Sequence, residues 1–138
     1  MELRAVIGNV DEPCVLSIDV GTSSLRTLLY DSKGLPVPGT TVQHGYPLVT
    51  NAAGGVEAPA PPLVTLLATS IDTTIAAARK GRQQIVAVGM TTHWHNLLGL
   101  DAAGRPTTSV LYHGDNRCAA QVVERHTDDA SRLTGLAP

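Results

Sequence analysis

Phenylalanine is absent from this chain of 138 residues, and Tyr30, Tyr46, Trp94 and Tyr112 are its only aromatic side chains. A core must therefore be built from aliphatic residues and alanine. Charge is also sparse: Asp, Glu, Lys and Arg make up 16% and the net charge is −2. No basic patch of the kind that grips nucleic acid is present. Cysteine occurs twice, at Cys14 and Cys118, and never as a C-x-x-C pair, so zinc is not expected and two reduced thiols are. No apolar run reaches the roughly 18 residues that would suggest a bilayer span. The first residues, Met1 to Pro13, lack the basic start and apolar stretch of a signal peptide, which makes cytoplasm the expected location. Neither a G-x-x-x-x-G-K-[ST] loop nor a G-x-G-x-x-G fingerprint occurs.

What remains is 43% hydrophobic, the composition of a folded globular protein of about one domain. Residues 1–13 contain Gly8, Asn9, Asp11 and Pro13 and are predicted to be a flexible lead-in. Alternating apolar residues predict a first strand over Cys14 to Val20 and a second over Leu25 to Asp31, with Ser32-Lys33-Gly34 as the next turn. A third strand, Leu35 to Val49, is interrupted by Pro36, Pro38 and Pro47, so it belongs at an edge or is irregular. Asn51 to Pro62 reads as a Gly/Ala/Pro-rich loop carrying one acid, Glu57, to which a structural role is assigned.

A helix follows. Leu63, Leu66, Leu67, Ser70, Ile71, Thr74, Ile75 and Ala78 form one stripe, Pro61 and Pro62 suit its first turn, and Gly81 is placed to cap its end. Ile85 to Met90 is a nearly continuous apolar run and predicts a buried parallel strand. Shorter strands are expected over Leu97 to Asp101 and Ser109 to Tyr112, joined by a turn at Asp101 to Gly104. A helix over Arg117 to His126, with Asp115 or Asn116 as N-cap, and a further helical turn over Asp128 to Leu133 complete the reading. The order β-β-β-α-β plus hairpin and helix predicts an α/β fold with a mixed, ribonuclease H-like sheet. The α-β unit that would complete such a core is missing from the pattern.

Two segments carry chemistry. Between the first two strands stands Asp19-Val20-Gly21-Thr22-Ser23-Ser24. Gly21 permits close backbone approach. Thr22, Ser23 and Ser24 offer hydroxyl and N–H donors to phosphate oxygens, and Asp19 places a carboxylate where hydrated Mg²⁺ could sit. By itself the segment equally fits a hairpin whose polar side chains satisfy turn amides. Strand, acid, Gly-Thr-Ser turn and strand together resemble the first phosphate loop of the actin, Hsp70 and sugar-kinase superfamily.

The second segment begins at Gly89-Met90-Thr91-Thr92-His93-Trp94-His95-Asn96-Leu97-Leu98-Gly99-Leu100-Asp101 and continues to His113-Gly114-Asp115-Asn116-Arg117. It resembles the FGGY carbohydrate kinases, in which a buried strand ends in a sugar-contacting loop of pattern G-x-x-x-x-x-H-x-x-x-x-x-D, followed by W-x-D-x-R. Asp115 and Arg117 keep their places, whereas His113 stands where Trp is usual. With the phosphate loop and Gly54-Gly55-Val56-Glu57 in register, the resemblance covers about Cys14 to Pro138, and gluconokinases and xylulokinases look nearest.

The resemblance implies an N-terminal portion, 14–138, of the first, sugar-binding domain of an ATP- and Mg²⁺-dependent kinase. The second, nucleotide-binding domain and the general base are expected outside the chain, which alone should be inactive. Trp94 would supply an apolar floor, His95 and Asp115 would meet sugar hydroxyls, and Arg117 would orient Asp115 or meet a carboxylate. Each also has a plainer role: His93, Trp94 and His95 as packing residues, Asp115 as an N-cap, Arg117 as an exposed first-turn residue. The expected partner is a small sugar or sugar acid, with no nucleic acid or membrane; self-association through edges left open is possible. A non-catalytic sugar-binding or regulatory remnant is the alternative. A ribonuclease H-like nuclease fits less well, because it needs clustered carboxylates for two metals.

Overall fold

The computed structural model describes residues 12–93 and 95–125. In chain order the elements are β1 (Glu12–Val20), β2 (Ser24–Asp31), β3 (Val42–Gly45), β4 (Val49–Thr50), β5 (Val56–Ala58), α1 (Ala60–Gly81), β6 (Gln83–Thr92) and β7 (Val110–Leu111). Boundaries after Pro47, Ala60 and Trp94 divide the chain into two compact units. The expected lead-in falls mostly outside the described residues, but its last two, Glu12 and Pro13, already belong to β1. The helical turn expected over Asp128 to Leu133 also lies outside them.

The first unit is a four-stranded mixed sheet of order β3-β2-β1-β6. β1 runs antiparallel to β2, with Cys14 opposite Asp31 and Val20 opposite Leu25. It runs parallel to β6, with Val20 opposite Thr92. The parallel pair needs a crossover, and α1 supplies it. Alternation along β1 buries Cys14, Leu16, Ile18 and Val20, which cluster with Leu29 and with Ala78 of α1. Burial pushes the Cys14 thiol pKa upward.

With no phenylalanine to fill the space, small side chains join helix to sheet. Ser70, Thr74 and Ala78 are spaced four apart on α1, and all are buried. The Thr27 hydroxyl donates to the Ser70 carbonyl at 3.1 Å and lies 2.7 Å from the Thr74 hydroxyl. Thr74 in turn reaches the Thr40 carbonyl at 3.4 Å. Thr40 Oγ1 accepts the Leu29 N–H at 3.1 Å and donates to Val37 at 2.7 Å. The buried hydroxyls thus satisfy one another and the backbone, as burial demands.

Three expectations for this unit need comment. The proline-rich third strand does lie at an edge: Pro36 makes one bridge to Tyr30, and regular pairing starts only at Val42. β6 is parallel, as expected, but not buried. It is the opposite edge of the sheet, and Val86, Val88 and Met90 are 59%, 60% and 62% exposed. The apolar run signalled two covered faces; here it has one hydrogen-bonded neighbour, and the flank expected to stay open does so. Gly81 does not cap α1, since the left-handed residue is Arg82, at φ 58°. A Cβ at 81 would meet only the end of the Gln83 side chain, which can turn away, so space does not require glycine there either.

The second unit holds a three-stranded sheet of order β4-β5-β7. Part of the segment read as a loop is in fact the β4–β5 hairpin. Asn51 Oδ1 accepts the N–H groups of Ala53 and Gly55, both at 3.0 Å, and Gly54 adopts φ 87°. Leu97 and Leu111 exchange both backbone hydrogen bonds, at 2.9 and 2.8 Å. The strands expected at Leu97 to Asp101 and Ser109 to Tyr112 reduce to β7 and isolated bridges. Residues 119–125 are helical. Among the described residues, no helix is long and apolar enough to cross a membrane.

This packing sets an expected contrast in urea denaturation followed by circular dichroism. Leu29→Ala, at a fully buried site, should cost about 2–5 kcal/mol. Val88→Thr, on the open edge, should stay within about 0.5 kcal/mol. Similar losses for both would mean that β6 is covered in solution.

Candidate functional site

In the first unit, β1 delivers Asp19 to its C-terminal end, beside Thr91 of β6 and opposite Arg26 of β2. Asp19 is half-buried, and its carboxylate has no hydrogen-bond or ion-pair partner among the described residues. Gly21 N–H donates to the Ser24 carbonyl at 2.9 Å, which closes the turn over the exposed Thr22 and Ser23. A Cβ at Gly21 would lie 3.1 Å from that carbonyl oxygen, so a larger residue would force the turn open. Tyr46 holds the turn from the end of β3. Its N–H donates to Ser23 O at 3.0 Å and its hydroxyl to Gly21 O. Ser24 Oγ accepts from Gln43 at 3.5 Å. Asp19, Gly21, Thr22, Ser23 and Ser24 thus form one continuous polar turn. No group of three or more potential metal ligands exists among the described residues.

The second unit contains a cleft of about 810 Å³ that gathers the other predicted residues. His95, Asp115 and Arg117 line it together; Trp94 lies outside the described residues. Asp115 is the hub. Its Oδ2 accepts the Val56 N–H at 3.1 Å, and its Oδ1 accepts the Arg117 N–H at 3.1 Å. The second bond closes an Asx turn; the helical residues begin only at 119, so Asp115 is not the N-cap expected for them. The Arg117 side chain then returns. Nε donates to Oδ1 at 2.9 Å and to Oδ2 at 3.0 Å, and Nη2 donates to Oδ2. Arg117 therefore orients Asp115. The same carboxylate thus serves its own turn and the pairing with Arg117. These bonds, the side-chain contacts with Arg117 foremost, hold the Asp115 carboxyl well below the usual carboxylate range. The same contacts raise the Arg117 pKa.

Two further residues line the cleft. Glu57, read as structural, stands on β5 with Oε2 3.5 Å from Arg117 Nη2. Its signal in the sequence was being the lone acid of an uncharged stretch. His113 carried no signal of its own, yet it lines the cleft, and Asn96 Oδ1 accepts its N–H at 2.9 Å. That bond ties the His95 loop to the Asp115 loop. His95 adopts φ 61°, a left-handed conformation uncommon for residues with a Cβ and often found at functional positions. Asp101, the last residue of the histidine-loop pattern, serves its turn: Oδ1 accepts the N–H groups of Ala103 and Arg105, both at 2.9 Å.

The lowered Asp115 pKa has a signed consequence. A carboxylate depressed on folding adds stability that is complete above its unfolded pKa, about 3.9. That stability fades as pH falls toward the folded value. The stability gap between the unaltered protein and Asp115→Asn should thus be flat from pH 7 to about 5 and shrink below about 4. Acid titration of both proteins by circular dichroism checks this; a gap that widens in acid would contradict the pairing.

No curated protein sequence matches the chain. A crystal structure of gluconate kinase from Lactobacillus acidophilus is similar, with a TM-score of 0.69 and 26% identity over 86% of this chain and 23% of that one. The ligand-bound xylulose kinase from the same organism gives 0.68 and 26% over 85% and 23%. The Plasmodium falciparum glycerol kinase with ADP, at 20% identity, shares the fold with a TM-score of 0.74 over 82% and 22%. The fold is thus that of the actin, Hsp70 and sugar-kinase superfamily, and the chain spans about a quarter of the length of these kinases. The family description for the N-terminal domain of the FGGY carbohydrate kinases matches residues 14–132, and the chain belongs to that family.

Proposed function

We propose that this chain is the N-terminal part of the sugar-binding domain of an ATP-dependent kinase. That kinase would transfer the γ-phosphoryl group to a hydroxyl of a sugar or sugar acid, of the gluconate or xylulose type. The observation that carries the reading is the cleft in which Asp115, fixed by Val56 and Arg117, faces the same space as His95 and Glu57. Glu57 and the imidazole of His95 can exchange hydrogen bonds with hydroxyls, beside a wall fixed by Asp115, whose own oxygens are taken by Val56 and Arg117. Asp115 is engaged by Val56 and Arg117, so its proposed role is to orient the acceptor and not to take its proton. Proton removal is assigned to another residue of the complete enzyme, as are the adenosine contacts of a second domain. Trp94, next to His95 in sequence, is proposed as the apolar floor.

The Gly21–Ser24 turn is the proposed contact for ATP phosphates. The residues present fit Mg²⁺ held through water: a single carboxylate, Asp19, open at a strand end, suits an ion that keeps most of its hydration shell. Mg²⁺ would neutralise charge on the transferring group, where positioning and electrostatics supply most of the catalysis. Asp19 fixes that charge, and the turn held by Tyr46 presents N–H groups in a set arrangement. The cytoplasm, where ATP is at hand, is the proposed location.

In the complete enzyme, His95→Ala and Asp115→Ala should weaken sugar binding roughly tenfold or more. Nucleotide binding should stay nearly unchanged. Calorimetry showing unaltered sugar affinity in both variants would return these residues to turn closure and packing. Asp19→Asn should instead depress kcat far more than it alters sugar affinity; near-normal kcat would remove Asp19 from the mechanism.

A further inference from the structure

The charge balance of the cleft bears on which acceptor it takes. Among the described residues, two carboxylates, Glu57 and Asp115, face one guanidinium, Arg117. Arg117 is also committed. Its Nε/Nη2 edge is spent side-on on Asp115, and Nη2 turns its remaining hydrogen toward Glu57 Oε2 at 3.5 Å. A guanidinium offers carboxylates two bidentate edges, side-on and end-on. Asp115 occupies the first, and Glu57 stands at the second. Asp115 is only 11% exposed in its side chain and is held below the carboxylate range, so its charge persists at neutral pH. The remaining polar lining includes His95, His113 and Gln121, which can exchange hydrogen bonds with hydroxyls.

We infer that this cleft selects neutral polyhydroxy acceptors, ketoses and polyols, over sugar acids of the same carbon skeleton. The inference rests on the cleft's being the sugar site, and it narrows the acceptor class. A ligand carboxylate would have to enter a pocket with a surplus negative charge and displace Glu57 from the one guanidinium edge it could use. A chain of hydroxyls can donate to Glu57 and exchange hydrogen bonds with His95, His113 and Gln121 without displacing the Asp115–Arg117 pair. Close like charges at a partly shielded site cost enough to shift affinity roughly tenfold or more.

The test is calorimetric titration of the protein with carbon-matched pairs, xylitol against xylonate and sorbitol against gluconate. Titrations are run at pH about 8, where an ordinary imidazole is neutral. In each pair the neutral ligand should bind roughly tenfold or more tightly. Raising salt to about 0.5 M should narrow the ratio, because screening weakens charge repulsion and leaves hydrogen bonds largely intact. Glu57→Gln, which removes the surplus charge at nearly constant shape, should shift the ratio at least about threefold toward the acids. Equal or tighter binding of the acids to the unaltered protein overturns the inference while leaving the sugar site standing. No binding of any of the four compounds overturns both. Should Glu57→Gln fail to fold, the ratio and its salt dependence in the unaltered protein decide the matter.

Discussion

One carboxylate holds the second unit's site together. Asp115 accepts from the backbone of β5, from the backbone of the turn that it begins, and from a guanidinium two residues along. Each bond alone is ordinary. Together they link a hairpin and a turn through a single side chain, and they do so while keeping it charged. The cleft's shape and its charge therefore have the same source. Loss of that carboxylate would leave the Val56 N–H and Arg117 without their partner at once, which couples the fold of the site to its chemistry more tightly than a freely exposed acid would.

The first unit is organised differently. Its constraint is the lack of large aromatic side chains. Leucine, isoleucine and valine fill the sheet face, and the helix approaches through Ser70, Thr74 and Ala78. Burying hydroxyls is tolerated because Thr27 and Thr74 bond to each other and the hydroxyls of Thr27, Thr40 and Thr74 reach backbone carbonyls. The benefit is positional: β1 and β2 are fixed along their length, so the turn between them starts from a rigid base, and Tyr46 clamps it from β3.

Much of this was legible in the sequence because it depends on local periodicity. Alternation in Cys14 to Val20 and the stripe from Leu63 to Ala78 each admit one reading, and proline at 36, 38 and 47 has few places to go in a sheet. The motif residues were legible through their order and spacing: His95, Asp115 and Arg117 do share one cleft. What escaped depends on partners distant in the chain. The β4–β5 hairpin is too short for a pattern to form, and composition marked its residues as loop. Glu57 acquires meaning only when Arg117 is brought to it across 60 positions. The edge position of β6 was not readable either, since an apolar run reports what a strand can tolerate and not which neighbours it has. Gly81 misled because the left-handed position that ends α1 fell one residue later, on Arg82.

The central claim is that the second unit's cleft, built around Asp115, is where a carbohydrate binds in this member of the FGGY family. The most direct measurement is a backbone amide NMR titration of the isotope-labelled protein with xylulose. The account predicts shifts concentrated at Val56, Glu57, His95, His113 and Asp115 to Arg117, with little change along Val15 to Ile18 of β1. Shifts confined to other surfaces, or none up to saturating sugar, would contradict it.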